Sequence, residues 1–204
     1  MNQSSAERMA VDRLRGLAGA AGRAADELGG DVATYADRAV RTLRAGGRLL
    51  FCGNGGSAAT VEHMATEYLV RFQRERAPLA AIALTAGSAM VTASANDFGY
   101  DDVFVRPLQA LGRPGDLLII HSTSGESANC LAAARAATAA GIRTVALTGP
   151  AGGSLATLAD LAIRAPGEDT ATIQEIHLAI EHAVADYVDA CFAAAFAASA
   201  SADS

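Results

Sequence analysis

Five short apolar runs alternate with helical stretches through the middle of the chain, and this alternation limits the fold more than any other feature. "RLLFC" (48–52), "LAAIAL" (79–84), "DLLIIH" (116–121), "RTVALT" (143–148) and "DLAIRA" (160–165) read as short buried strands. Helical stretches fall between them, near 57–71, 86–95, 101–111, 127–140 and 153–158. Strands that are apolar throughout, each followed by a helix, belong to a parallel sheet covered on both faces. The expected class is therefore α/β. Residues 5–28 and 31–45 read as two further helices, an N-terminal helical hairpin. The second carries Val32, Tyr35, Ala36, Ala39 and Leu43 at helical spacing, and "AGG" (45–47) ends it. A long last helix is expected over about 170–196. It is apolar on nearly every side, so it should be buried, in part between subunits.

No interdomain linker or repeat interrupts this pattern. A single domain over 1–198 is expected, with N-terminal helices over 1–46 and the α/β core and C-terminal helix over 47–198. Residues 199–204 should form a flexible tail. A chain of 204 residues is long enough to bury a substantial core. No apolar run approaches the roughly 18 residues that a membrane span needs. No charged segment precedes an apolar one at the N-terminus, so no signal peptide is expected. The formal charge of -6 argues against general nucleic-acid binding. Cys52, Cys130 and Cys191 are scattered, have no zinc-type spacing and suit a reduced, cytoplasmic setting. All sixteen basic residues are arginine. The absence of lysine removes a Walker-type phosphate lysine and any Schiff-base mechanism.

In a doubly wound sheet, ligands bind beyond the carboxyl ends of the strands. Three turns rich in glycine, serine and threonine fall there: "GNGGS" (53–57), "STSGES" (122–127) and "TGPAGGS" (148–154). In the first, Gly55 and Gly56 let the backbone approach an anion and Ser57 opens a helix, whose N-terminus offers free N–H groups. An ordinary tight turn would look the same. In the second, Ser122, Thr123, Ser124 and Ser127 place four hydroxyls on one strand-to-helix turn. Hydroxyls and helix N–H groups can hold a phosphate dianion without lysine, whereas N-capping alone needs only one hydroxyl.

The helix after Ser57 buries Ala58, Val61, Ala65, Tyr68 and Phe72. His63, Glu67 and Arg71 recur at i, i+4 and i+8 on a different face. His63 and Glu67 are within reach of one metal or one substrate. A solvated face with a weak ion pair is the plain alternative. On the last helix Gln174, Leu178 and His182 share a ridge, while His177 lies about 140° from His182 by helical rotation. His177 reads as a structural core histidine, and Glu175 and Glu181 read as surface residues.

Taken in order, "GNGGSAA…EH…E…RF", "AIAL", "ANDFGYDDVF", "LGRPGDLLI", "STSGESAN", "ALTG…GG" and "DTATIQEIH…EH" resemble the bacterial phosphoheptose isomerases of the sugar isomerase (SIS) superfamily. The resemblance spans residues 5–190. It implies a five-stranded parallel sheet of flavodoxin-like order and a homotetramer with sites near subunit interfaces. It also implies conversion of D-sedoheptulose 7-phosphate to D-glycero-D-manno-heptose 7-phosphate. A zinc site is implied at His63, Glu67, Gln174 and His182, with Glu67 and His182 as base and acid. Phosphate contacts are implied at Ser57, Ser122, Thr123, Ser124 and Ser127. Sugar contacts include Asn54, Arg71, Asp97 and Asp169. The chain departs from the family pattern at Thr60 (usually aspartate), Glu126 (asparagine) and Thr172 (arginine), and has His121 where a small or apolar residue is common. These departures leave an isomerase for a different phosphosugar open. Some similar SIS proteins are non-catalytic tetramers that bind a replication initiator. They lack the glutamate and histidine present here as Glu67 and His182, which favours an enzyme.

Within one chain, Gln174 and His182 pose a spacing problem. Eight residues of regular helix separate them by about 12 Å along the axis. A late helix start, with Asp169 or Thr170 as N-cap, or a contribution from a neighbouring chain is expected if both are to reach one ion.

Overall fold

The computed structural model describes residues 3–202. Helix α1 (Gln3–Arg44) leads into β1 (Leu49–Gly53), α2 (Gly56–Leu69), β2 (Ala81–Ala83) and α3 (Ser88–Phe98). A 3-10 turn at Tyr100–Asp102 precedes α4 (Val105–Leu111), β3 (Leu117–Ser122), α5 (Ala128–Ala139) and β4 (Arg143–Thr148). Then come α6 (Gly153–Leu158), β5 (Leu161–Arg164) and α7 (Thr170–Ala202). The five strands are parallel, in the order β2-β1-β3-β4-β5. This is the flavodoxin-like order, with its switch point between β1 and β3.

Both faces of the sheet are covered, so the central strands are apolar throughout rather than alternating. Successive residues of one strand enter opposite cores. Leu49, Phe51, Leu117, Ile119, Val145 and Leu147 pack under α1, α2 and α7, against Tyr35, Met64, Tyr68, Ile176 and Val184. Leu50, Cys52, Leu118, Ile120 and Ala146 pack on the other side, against Leu108, Cys130, Ala134 and Leu155.

The expected N-terminal hairpin is instead one helix of 42 residues that passes straight through Gly29 and Gly30. Two interior glycines cost about 1 kcal/mol each relative to alanine. The cost is offset because Leu17, Ala20, Ala24, Leu28, Val32, Tyr35 and Ala39 all join the core on either side of the pair. Helix α7 is likewise longer than expected. The tail anticipated at 199–204 is helical as far as Ala202, and Asp203 and Ser204 lie outside the described residues. Among the described residues, no helix is long and apolar enough to cross a membrane.

Candidate active site

Helices α2 and α7 run side by side and carry the ionisable groups. At one end the amide of Gln174 lies against Gly56. A Cβ at position 56 would fall 2.6 Å from Gln174 Oε1, so only glycine fits there without displacing the amide. Further along, His63 Nε2 and His182 Nε2 are 3.1 Å apart, with the rings edge to face. The other nitrogen of His63, Nδ1, is 3.5 Å from Glu67 Oε1. Phe72 stacks on His182 at 5.4 Å between centroids and walls the imidazole from one side.

A buried ion pair fixes these two helices in register. Arg76 and Asp189 are 1% and 0% exposed. Arg76 donates to the carbonyls of Glu67, Tyr68 and Ala77, which caps the C-terminal end of α2 with a cation where the helix dipole favours one. Asp189, on α7, accepts from Arg76 Nε and from the backbone N–H groups of Gln73 and Arg74. Burial pushes the Asp189 carboxyl up, but those N–H groups and the guanidinium outweigh it and hold it below the usual carboxylate range.

The two hydroxyl-rich turns lie beyond the adjacent ends of β1 and β3, where Gly53 pairs with His121. Ser57 and Ser122 are buried, Thr123 and Ser127 half-buried, and Ser124 exposed. Ser122 Oγ donates to Ser127 Oγ at 3.2 Å, and Ser124 Oγ accepts from the Glu126 N–H. The turn is braced from below. A Cβ at Gly125, whose φ is +68°, would fall 2.0 Å from the Gly152 carbonyl oxygen. Thr123 O accepts from Gly149 N and Gly125 O from Leu155 N.

Two departures from the family pattern find local explanations. Glu126 points away from its own turn: Oε1 accepts from Ser154 N at 2.6 Å and Ser154 Oγ at 3.0 Å, at the start of α6. Its charge is thus engaged by α6. Thr172 Oγ1 accepts from Arg13, whose guanidinium also contacts Asp169 and Glu175, so α1 brings an arginine to this place. Thr60 donates only to the Gly56 carbonyl one turn back.

The structure therefore gathers His63, Glu67 and His182 into one cluster and sets Gln174 at the turn after β1, against Gly56. Helix α7 does start at Thr170, with Asp169 accepting from Thr172 N as N-cap. Gln174 still sits about 12 Å along the axis from His182. Arg71, Asp97 and Asp169 are exposed on three separate segments. Because α2 ends at Leu69, Arg71 does not continue the ridge of His63 and Glu67.

His177 is a core residue, as its phase on α7 indicates. Its Nε2 donates to Thr148 O, and burial together with His121 lowers its pKa to about 3. Glu181 is not a surface residue. It is fully buried, accepting from Tyr35 OH and from His121 Nε2. The helical ridge alone misled here, because α7 is covered by α1 as well as by the sheet. His121, an ionisable residue ending an apolar strand, was the one signal that a buried partner existed. Phe72, expected on the core face of the helix after Ser57, lies beyond the end of α2 and is half-buried against His182; Arg76, Asn129 and Asp189 were not singled out from the sequence.

The ring nitrogens of His63 and His182 fit two positions around a zinc ion. Ligands at Zn–N distances of about 2.0–2.1 Å stand about 3.3 Å apart in a tetrahedron, close to the 3.1 Å observed. Glu67 addresses the other nitrogen of His63. Among the described residues, no group of three or more His, Cys, Asp or Glu side chains is arranged to hold an ion.

A parallel sheet of this order, with glycine- and serine-rich turns at its switch point, defines a flavodoxin-like α/β protein, and a sequence model of the SIS domain matches residues 18–149. The chain belongs to the SIS-domain family. Within it, the similarity is to phosphoheptose isomerases. The one from Roseiflexus sp. (strain RS-1) is 50% identical over 158 residues, covering 78% of this chain and 80% of the relative. That from Thiobacillus denitrificans is 50% identical over 169 residues, covering 81% and 86%. A solved structure of a phosphoheptose isomerase from Francisella tularensis superposes with a TM-score of 0.86 at 35% identity, covering 93% of this chain and 99% of that one. Its counterpart from Neisseria gonorrhoeae gives 0.83 at 38% identity, covering 90% and 98%.

Proposed function

We propose that this isomerase interconverts D-sedoheptulose 7-phosphate and D-glycero-D-manno-heptose 7-phosphate. The observation that carries the reading is the cluster on α2 and α7, where His63 stands between Glu67 and His182, combined with hydroxyl-rich turns at the switch point. The names of the similar proteins point the same way.

Aldose–ketose exchange moves one hydrogen between C1 and C2 through an enediol. Glu67, as carboxylate, takes the proton from C1 of the ketose while an imidazole N–H of His182 donates to O2. The enediol results. Glu67 then returns its proton to C2 as the O1 proton passes to His182, leaving an aldehyde at C1 and a hydroxyl at C2. Ser57, Ser122, Thr123, Ser124 and Ser127 hold the phosphate at the far end. Remote binding energy at that end positions the reacting carbons. Arg71, Asp97 and Asp169 are assigned to the sugar hydroxyls.

Zinc is part of the proposal, held by His63 and His182, with Glu67 as a third ligand once it turns from His63 Nδ1, and with Gln174, which lies at Gly56 in its own chain, supplied by a neighbouring copy. When bound it would polarise the carbonyl as a Lewis acid. A homotetramer is also proposed. An apolar cavity of about 290 Å³ between α1 and α7, lined by Ala24, Val32, Ile176 and Ile180 among others, offers a face for a second copy. A cytoplasmic setting fits the free Cys52 and Cys130 thiols.

Assaying the purified protein against C5 to C7 ketose phosphates tests the reading. Turnover of sedoheptulose 7-phosphate without nicotinamide or ATP is expected. Turnover of another ketose phosphate in its place would reassign the substrate, and none at all would remove the activity.

A further inference from the structure

Asn54 and Asn129 exchange a reciprocal pair of amide hydrogen bonds. Asn54 Nδ2 donates to Asn129 Oδ1 at 2.9 Å, and Asn129 Nδ2 donates to Asn54 Oδ1 at 2.8 Å. Asn129 Oδ1 also accepts from the Cys130 N–H, which only an oxygen can do, so the amide has one orientation. Asn54 Oδ1 takes a second bond, from Tyr100 OH at 3.0 Å. Its two acceptor positions are thereby filled from within the protein.

The pair has a particular place in the fold. Asn54 belongs to the turn after β1, and Asn129 to the first turn of α5, directly after Ser122–Ser127. The amides therefore bridge the two hydroxyl-rich turns across neighbouring strands. Asn129 is 2% exposed, so its bonds face no competition from water. Tyr100 is 57% exposed and reaches Asn54 from the 3-10 turn after α3. It follows Gly99, whose φ of +95° turns the chain out of α3, and helps wall a cavity of about 450 Å³ beside Asn54.

We infer that Asn129 and Tyr100 are positioning residues that act through Asn54, setting the spacing of the two turns that grip the phosphate. The inference rests on the phosphosugar reading above. An amide engaged on both sides holds the turn in place and does not offer its oxygen to the sugar. The residues nearest the chemistry, Glu67 and His182, lie outside this network, so loosening it should weaken phosphate capture more than it slows turnover.

The test is a double-mutant cycle read by steady-state kinetics and by calorimetric titration with inorganic phosphate. Asn129→Ala should raise both KM for the sugar phosphate and Kd for phosphate about tenfold, with kcat within about threefold, as expected for loss of uniform binding. Tyr100→Phe should raise them about threefold, having lost one bond of three. Because Asn129 acts through Asn54, adding Asn129→Ala to Asn54→Ala should change nothing further. Independent, additive effects would overturn the inference, as would wild-type KM in Asn129→Ala. If Asn129→Ala lacks a native melting transition, Tyr100→Phe decides, and wild-type KM and phosphate affinity there would overturn the inference. A wild-type protein inactive on every sugar phosphate would end the phosphosugar reading instead. Phosphate titration would still decide the inference, which equal affinity in wild type and Asn129→Ala overturns.

Discussion

Glu181 and His121 meet at 2.8 Å, Oε1 to Nε2, with neither side chain exposed. The pair ties α7, one residue before His182, to the end of β3, one residue before Ser122. Tyr35 OH completes it from α1 at 3.0 Å, so three elements share one buried carboxylate. Burial, followed by the neighbouring Glu181 charge, pushes the Tyr35 hydroxyl well above its ordinary pKa, which keeps it a neutral donor.

Removing one partner strands the other. Glu181→Ala or His121→Ala should each cost about 3–5 kcal/mol of stability, the usual scale for an orphaned buried charge. Replacing both with apolar residues of similar volume, His121→Leu with Glu181→Leu, should restore part of the loss, since neither partner is then orphaned and only the Tyr35 hydroxyl is left without its acceptor. Urea denaturation of the three variants checks this. A double variant no more stable than the singles would show that the pair contributes something apolar packing cannot replace.

Stability should fall on the acid side through His177. Its pKa is lowered from 6.5 to about 3 by burial and by His121. Between those values the unfolded chain binds a proton that the folded one refuses. Unfolding therefore gains about 1.4 kcal/mol for each pH unit lowered across that window. Above about pH 6.5 the contribution is constant. Asp189 adds in the same direction at lower pH, because its depressed pKa contributes stability that is lost as pH falls through the folded value. His177→Gln should flatten the dependence of melting temperature on pH between about 6.5 and 4. An unchanged slope would mean that His177 takes up its proton in the folded state.

The Arg76–Asp189 pair should connect stability to catalysis. Asp189→Ala leaves Arg76 buried without its partner and frees the Gln73 and Arg74 N–H groups. We expect a loss of about 3–5 kcal/mol. We also expect lower kcat, because the segment carrying Phe72 is no longer pinned to α7. Thermal denaturation and kinetics below the melting temperature separate the two effects. Unaltered kcat in the folded variant would confine the pair to a structural role.

Much of this architecture was legible because parallel strands buried on both faces leave a plain mark. "RTVALT" marked β4 to the residue. The N-terminal hairpin was misread because glycine propensity is local, whereas the stripe from Leu17 through Leu28 to Tyr35 keeps contact with α7 across Gly29 and Gly30. Within the site, His63 and Glu67 were visible from spacing on one helix. Their approach to His182 came only from the family resemblance, since it depends on how α2 lies against α7. That packing is set by Arg76 and Asp189, 113 residues apart, and no periodicity reports it. Glu181 was misjudged for a related reason: a carboxylate is buried only when a partner waits, and the partner came from a strand 60 residues earlier.

The last prediction separates the ion from the acid–base pair. His63 and His182 present nitrogens 3.1 Å apart, which two neutral imidazoles can share as one hydrogen bond or two zinc ligands can adopt around the ion. If zinc belongs here, untagged protein should carry about one ion per chain, as a closed or catalytic site of this ligand type does. Chelation should lower both metal content and activity. His63→Ala should lose metal and activity together, because it removes one ligand and also leaves Glu67 without its neighbour. Gln174→Ala should lose less metal, since its amide lies at Gly56 and a neutral amide is a weak zinc ligand. Glu67→Gln and His182→Gln should each reduce turnover at least about 10²-fold, the scale of a lost general base or acid. Metal analysis of these two variants then apportions the loss. Full activity in metal-free protein would remove zinc and leave His63 as the residue that orients Glu67 against His182.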